Sequence, residues 1–220
     1  MNNEEWCPGI KEEVYEGALG EAWEMLNNKD LRTVAERSGA TLRDRRLYLP
    51  TFGRECIIDP VCRSITMGGK EVKQLGAILV LHYLANALNV QPSGRTVPYR
   101  QLPGGNLHYL SFRSRVTEVI GSMFRENPKL LLGAVKLLGA KKREFGITSV
   151  TIPVFPMLPV TVILWSGEDK VRGSANLLFD DTASQIMSTE DLAAVGSFVV
   201  TQLLKVKAHM LKDIRSVNTL

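Results

Sequence analysis

Apolar residues recur along this chain with two different periods, and the changes of period mark out its elements. From about Ile10 to Leu26 the positions Val14, Ala18, Ala22, Trp23 and Leu26 share one helical face. Asn27, Asn28 and Lys29 break that helix. Asp30 can cap a short second one through Glu36, stopped at Gly39. From Thr41 the period drops to two: LRDRRLYLP, FGRECIID and, after Asp59-Pro60, CRSITM read as a small antiparallel meander. Gly68-Gly69-Lys70, read as a turn, leads into a helix from about Glu71 to Val90. Leu75, Ile78, Leu79, Leu81, Leu84, Ala87 and Leu88 cover most of its circumference, which predicts a central buried helix. Gln74, His82, Asn86 and Asn89 form its narrow polar stripe.

QPSGRTVPYRQLPGGN reads as a long loop, and such a loop inside a domain is more often functional than not. A helix over Ser111–Glu126 follows, with Phe112, Val116, Val119, Ile120 and Met123 inward. Asn127 and Pro128 suit the N-cap and first position of another, closed at Gly139. KKREFG reads as a solvated turn. ITSVTIPVF, PVTVILW and ANLLFD read as strands, with Pro153 and Pro159 limiting the first ladder. Ser188 then caps a long helix with Leu192, Val195, Val199, Leu203, Val206 and Met210 at heptad-like spacing. With no repeat and no βαβ alternation, the expected fold is one α+β domain. Antiparallel strands are flanked by helices, among them a central buried helix and a long C-terminal one. Residues 1–40 are expected to pack as a helical segment on a main domain of residues 41–220.

Composition narrows the function classes. Apolar residues are 45% and charged residues 23%, enough for a real core. The 27 basic and 23 acidic side chains give a net charge of +4, but the basic groups are scattered. A dedicated nucleic-acid binder would show a basic stripe. The acidic, polar start lacks the pattern of a secretory signal, and the longest apolar run, Ile152–Trp165, is short for a membrane span and broken by prolines. Cys7, Cys56 and Cys62 are sparse and odd in number, as expected of a reducing cytoplasm.

Candidate chemistry gathers in two stretches. In the second, Pro159–Leu192, Asp180 and Asp181 end a strand and Glu190 and Asp191 open a helix. If the loop between folds back, Asp180 and Glu190 could split their pKa values and serve as an acid/base pair. The plainer reading is turn aspartates and a helix first turn, with Ser188 and Asp191 as a capping box. In the first stretch, Arg95, Arg100, Arg113 and Arg115 bracket YRQLPGGNLHYLSF with Tyr99, Tyr109 and Phe112, a set that could hold anionic ligand groups against aromatic walls. His82, alone on an apolar helix, is a candidate metal ligand, although a hydrogen-bonded core histidine is the plainer reading. Hydrolase, metalloprotease and nucleotide-binding motifs are missing.

Several segments together look familiar: Leu49-Pro50, Phe52-Gly53 and Ile58-Asp59-Pro60; Leu81-His82-Tyr83-Leu84; and Arg100-Gln101-Leu102-Pro103-Gly104-Gly105 with Tyr109, Phe112 and Arg115. They continue with Pro156, Pro159-Val160, Leu164-Trp165, Gly167-Glu168, Ala175-Asn176-Leu177-Leu178-Phe179-Asp180 and Thr189-Glu190-Asp191. Their order and spacing, over residues 40 to 205, resemble a domain-of-unknown-function family of anaerobic bacteria and archaea. Some of its members carry an N-terminal four-cysteine iron–sulfur module or are linked to corrinoid-dependent one-carbon metabolism. The chain departs from the pattern twice. It has only Cys7 near its start, and Ala183–Ser188 lacks the His-Tyr pair expected before Thr-Glu-Asp. If that pair carries chemistry, this protein binds without catalysing.

The resemblance implies a ligand-binding or accessory protein of that metabolism. The expected pocket takes an anionic small molecule, a corrinoid or another tetrapyrrole. Arg100 and Arg115 would meet its anionic groups, Tyr109, Phe112 and Trp165 would form walls, Asn176 and Asp180 would be polar anchors, and His82 an axial ligand. A protein partner or second copy, docked through the C-terminal helix, is a further expectation.

Overall fold

The computed structural model describes residues 12–72, 74–165 and 174–217. Helices α1 (Glu12–Asn27) and α2 (Leu31–Ser38) come first. The Asp30 carboxylate accepts the Thr33 N–H at 2.9 Å to cap α2, and Gly39 ends it at φ 74°. A five-strand antiparallel meander follows, with strands β1 (Thr41–Arg43), β2 (Arg46–Thr51), β3 (Arg54–Asp59), β4 (Ser64–Met67) and β5 (Lys70–Glu71) in spatial order. Helix α3 (Gln74–Asn86) leads to β6 (Thr96–Pro98) and a 3-10 turn at Tyr99–Gln101. Then α4 (Gly105–Phe112), a π-helical turn (Arg113–Thr117) and α5 (Glu118–Phe124) run on as one widened helix. Next come a 3-10 turn (Pro128–Leu132), α6 (Gly133–Leu137), β7 (Lys141–Arg143), β8 (Thr148–Phe155), β9 (Leu158–Trp165) and β10 (Ser174–Asp180). A last 3-10 turn (Ala183–Gln185) precedes α7 (Thr189–Val217).

The second sheet has the order β6, β10, β9, β8, β7, all antiparallel. One continuous buried cluster joins α1, both sheets, α3 and α7, so the chain forms a single α+β domain. Helix α3 is buried from Gly76 to Leu84 except at His82, as its near-uniform apolar sequence requires. On α7, Leu192, Val195, Val199, Leu203 and Val206 face the core. Burying each Val or Leu stabilises by about 1.5–3 kcal/mol. The two sheets touch where the β2–β3 turn meets β8: Phe52 N–H donates to the Pro153 carbonyl at 2.9 Å. Gly53 must be glycine there, because at φ +68° a Cβ would lie 2.8 Å from the backbone nitrogen of Gly139.

Local expectations differ from the structure in several places. Lys70–Glu71 pairs with Thr66–Met67 instead of opening the helix, and α3 stops at Asn86, leaving Leu88 exposed. Asn89 explains the stop, since it sits at φ 57° and donates its N–H to the Arg37 carbonyl. Thr96–Pro98, inside the expected loop, pairs with β10. Lys141–Arg143, expected as turn, is an edge strand on β8 with all three charged side chains in water, which protects such an edge. Asn127 forms no capping hydrogen bond, and the turn after it is 3-10.

Candidate functional site

The two stretches singled out from the sequence do meet, at two places. At the first, Asp180 ends β10 with 2% of its surface exposed. Its carboxylate accepts the N–H groups of Ser93 (3.0 Å), Gly94 (2.8 Å) and Thr182 (3.2 Å) and the Thr182 hydroxyl (2.7 Å). Burial alone would push its pKa up, but these four donors outweigh it and hold the group below the ordinary carboxylate value. Next to it, Asp181 pairs with Arg95 and accepts the Ser93 hydroxyl, and its N–H donates to the Arg95 carbonyl at 2.9 Å. Both aspartates therefore tie the Ser93–Arg95 backbone to the sheet. A carboxylate used this way is ionised and fully engaged, which is the opposite of a poised general base.

At the second place the first turn of α7 meets the arginine segment. Ser188 Oγ accepts the Asp191 N–H at 3.1 Å, the expected cap. Thr189 donates its hydroxyl to the Pro103 carbonyl at 2.5 Å, and the Tyr99 hydroxyl donates to the Thr189 carbonyl at 3.2 Å. Tyr99 stacks on Phe112 at 4.1 Å with both rings buried. Phe112 is thus core, and it positions Tyr99. Burial raises the Tyr99 pKa, the Glu190 carboxylate adds to that, and the Arg115 guanidinium opposes it. Glu190 itself is exposed, 3.8 Å from His108 Nε2. The Arg100 guanidinium lies 5.7 Å from the Tyr109 ring centre, and Arg115 Nε donates to the Ser111 carbonyl at 3.3 Å. Among the described residues neither arginine has a carboxylate partner. Arg115 stands in the π-helical turn, and such widened turns are frequent at functional positions.

His82 belongs to this second place. Its Nδ1 is 2.9 Å from Asp191 Oδ1, a largely buried pair that joins α3 to α7. The hydrogen bond that the ring N–H donates to Asp191 raises the imidazole pKa, burial opposes this, and the charge of Asp191 adds to it. Asp191, expected only as a helix-start carboxylate, was the residue the sequence did not connect to His82. The available signal was that a half-buried imidazole needs a polar partner. With Nδ1 held, Nε2 is left for a proton or a metal, the arrangement of carboxylate-oriented ligating histidines.

The expected pocket does not close as one site. Trp165 pairs with Ser174 and Asp180 with Thr96, so they stand at opposite ends of β10, roughly 20 Å apart at strand rise. Asn176 is mid-strand, opposite Ile163, and exposed. Gly167-Glu168, the acidic turn after Trp165 and Cys7 lie outside the described residues. Cys56 is buried, its thiol pushed up to about 12 and so unreactive, while Cys62 is exposed. No group of three or more His, Cys, Asp and Glu able to hold a metal is present among the described residues. Cavities of about 200, 410 and 440 Å³ open on the described surface, and none of these has His82, Arg100 or Arg115 in its wall. The donor atom of His82 suits a tetrapyrrole metal, but the walls described do not supply the slot such a ring requires. These cavities therefore do not fit that group.

The described surface is thus that of an α+β domain with a polar junction at the start of its long helix. Residues 30–202 match the family described as Domain of unknown function (DUF3786), and the chain belongs to that family. No curated protein and no solved structure matches the chain. No helix among the described residues is long and apolar enough to cross a membrane.

Proposed function

We propose that this chain is a binding protein for an anionic small molecule, taken up where the arginine segment meets the first turn of α7. The observation that supports it is that Tyr99 and Pro103 of the arginine segment bond to Thr189 in the first turn of a long helix, where Asp191 holds the protonatable His82 and the Arg115 guanidinium acts on Tyr99. Among the described residues Arg100 and Arg115 have no carboxylate partner. Helix dipole, guanidinium groups and imidazolium all favour negative charge there. The family resemblance carries the finer reading, an accessory role in anaerobic one-carbon or corrinoid metabolism in the cytoplasm. Its anionic-ligand part agrees with the side chains at this junction better than its tetrapyrrole part does.

Calorimetric titration with citrate, inorganic phosphate, aquocobalamin and haemin tests the reading. The expected result is heat from citrate or phosphate that is lost in an Arg100→Ala/Arg115→Ala variant. Heat from none of the four overturns it. A spectral change on adding aquocobalamin or haemin, absent in His82→Ala, would instead support the tetrapyrrole reading.

A second reading, an acid/base enzyme, rests on the 2.9 Å pair His82–Asp191, since Asp180 is occupied by its own loop. It requires activity that rises and falls with the ionisation of His82.

A further inference from the structure

At the opposite end of the second sheet, a half-open cavity of about 410 Å³ lies between the 3-10 turn Pro128–Leu132 and the hairpin tip that joins β7 to β8. Its walls mix cations with apolar surface. Lys129 comes from the 3-10 turn and Lys142 and Arg143 from β7, while Leu132 and Phe145 supply apolar faces. Glu144 is the sole acid in the wall, and it has no ion pair with these cations among the described residues. Arg143, on the opposite face of β7 from Lys142, spends its Nε on the Thr151 hydroxyl at 3.0 Å, which leaves the two lysines as the cations of the groove.

The apolar groups are exposed because the backbone beneath them is pinned. Phe145 N–H donates to Ser149 Oγ at 3.0 Å, and Ile147 N–H to the Leu164 carbonyl at 2.8 Å. Gly146 packs between them at φ +58°, where a Cβ would lie 2.3 Å from the Leu164 carbonyl oxygen. The tip cannot fold its side chains inward. Phe145 stays 54% and Ile147 52% exposed, beside strand β9, which ends on a Trp165 that is 44% exposed.

We propose that this groove is a second ligand site, for a small anion with a flat apolar body such as an aromatic carboxylate, sulfonate or phosphate ester. Lys129 and Lys142 meet the anionic group, and Phe145 and Leu132 take the ring. The volume suits a ligand of that size, and the concave wall favours it over a flat lipid surface. Two lysines against one acid supply the charge complementarity.

The test is fluorescence titration with anilinonaphthalene sulfonate, compared with the uncharged phenylnaphthylamine. A saturable site is expected whose affinity is weakened about tenfold in Lys129→Glu/Lys142→Glu and which is retained in Arg100→Ala/Arg115→Ala, where any probe held at the α7 junction is lost. The uncharged ring should bind more weakly than the sulfonate in wild type, and equally in wild type and the double lysine variant. The inference is overturned if reversing the two lysines leaves sulfonate binding unchanged, if both probes bind alike, or if the arginine variant abolishes binding. Lys142→Glu alone, on an exposed edge strand, repeats the charge test with no bearing on the fold, and an unchanged affinity there counts equally against it.

Discussion

The two ends of the second sheet carry similar inventories of polar and aromatic residues and use them in opposite ways. At the Asp180 end the polar groups are consumed by one another: a buried carboxylate takes four donors, its neighbour pairs with Arg95, and the loop before β6 is held down. At the Trp165 end Lys129 and Lys142 are unpaired among the described residues, and Phe145, Ile147 and Trp165 face water. Chemistry-bearing residue types therefore do not mark a site by themselves; what counts is whether their bonding capacity is already used. The start of α7 lies between these extremes, with His82 and Asp191 paired and Arg100 and Arg115 without acidic partners among the described residues.

Several substitutions would break or sharpen this contrast. Asp180→Ala should have the largest effect, a loss of about 3 kcal/mol, because it strands two backbone N–H groups of another segment and one of its own. Denaturant unfolding would show it, and a loss below about 0.5 kcal/mol would mean the loop is not held by this carboxylate. Its stability contribution is present above the unfolded aspartate pKa and fades as pH falls through the lowered folded value.

Next comes Asp191→Asn, expected to cost about 1–2 kcal/mol. The sign of its pH dependence is reversed. Since His82 is raised in the folded protein, the pair's contribution is complete below the unfolded histidine pKa and disappears as pH rises through the folded one. Unfolding free energies of wild type and variant should thus converge at alkaline pH, and a constant gap would contradict the pairing. Trp165→Ser should have the smallest effect, within about 0.5 kcal/mol, since the indole is half exposed at a strand end. A loss of several kcal/mol would show that the Trp165 end is also consumed by packing.

Much of this fold was legible in the residues. The circumferential apolar pattern of α3, the Asp30 cap, the proline-limited hairpin of β8 and β9 and the capped α7 all follow from local chemistry. The short strands β6 and β7 were not legible. Thr-Val-Pro and Lys-Lys-Arg have no strand pattern of their own, and they pair only because β10 and β8 offer free edges. The candidate site was legible in part. Whether the arginine segment and the α7 start meet was left open by the sequence, and Tyr99, Thr189 and Pro103 join them. The grouping of Trp165 with Asp180 failed for a geometric reason: residues close in sequence across a hairpin lie at opposite ends of the strand that separates them. The His82–Asp191 pair spans 109 positions, and no local pattern encodes it.

The central claim is that the α7 junction binds an anion beside a carboxylate-held imidazole. An NMR pH titration of the His82 ring, with and without citrate, tests it most directly. The account predicts an apparent pKa above the ordinary histidine value in the free protein, raised further by citrate in wild type but not in Arg115→Ala. An ordinary His82 pKa that citrate leaves in place would contradict it.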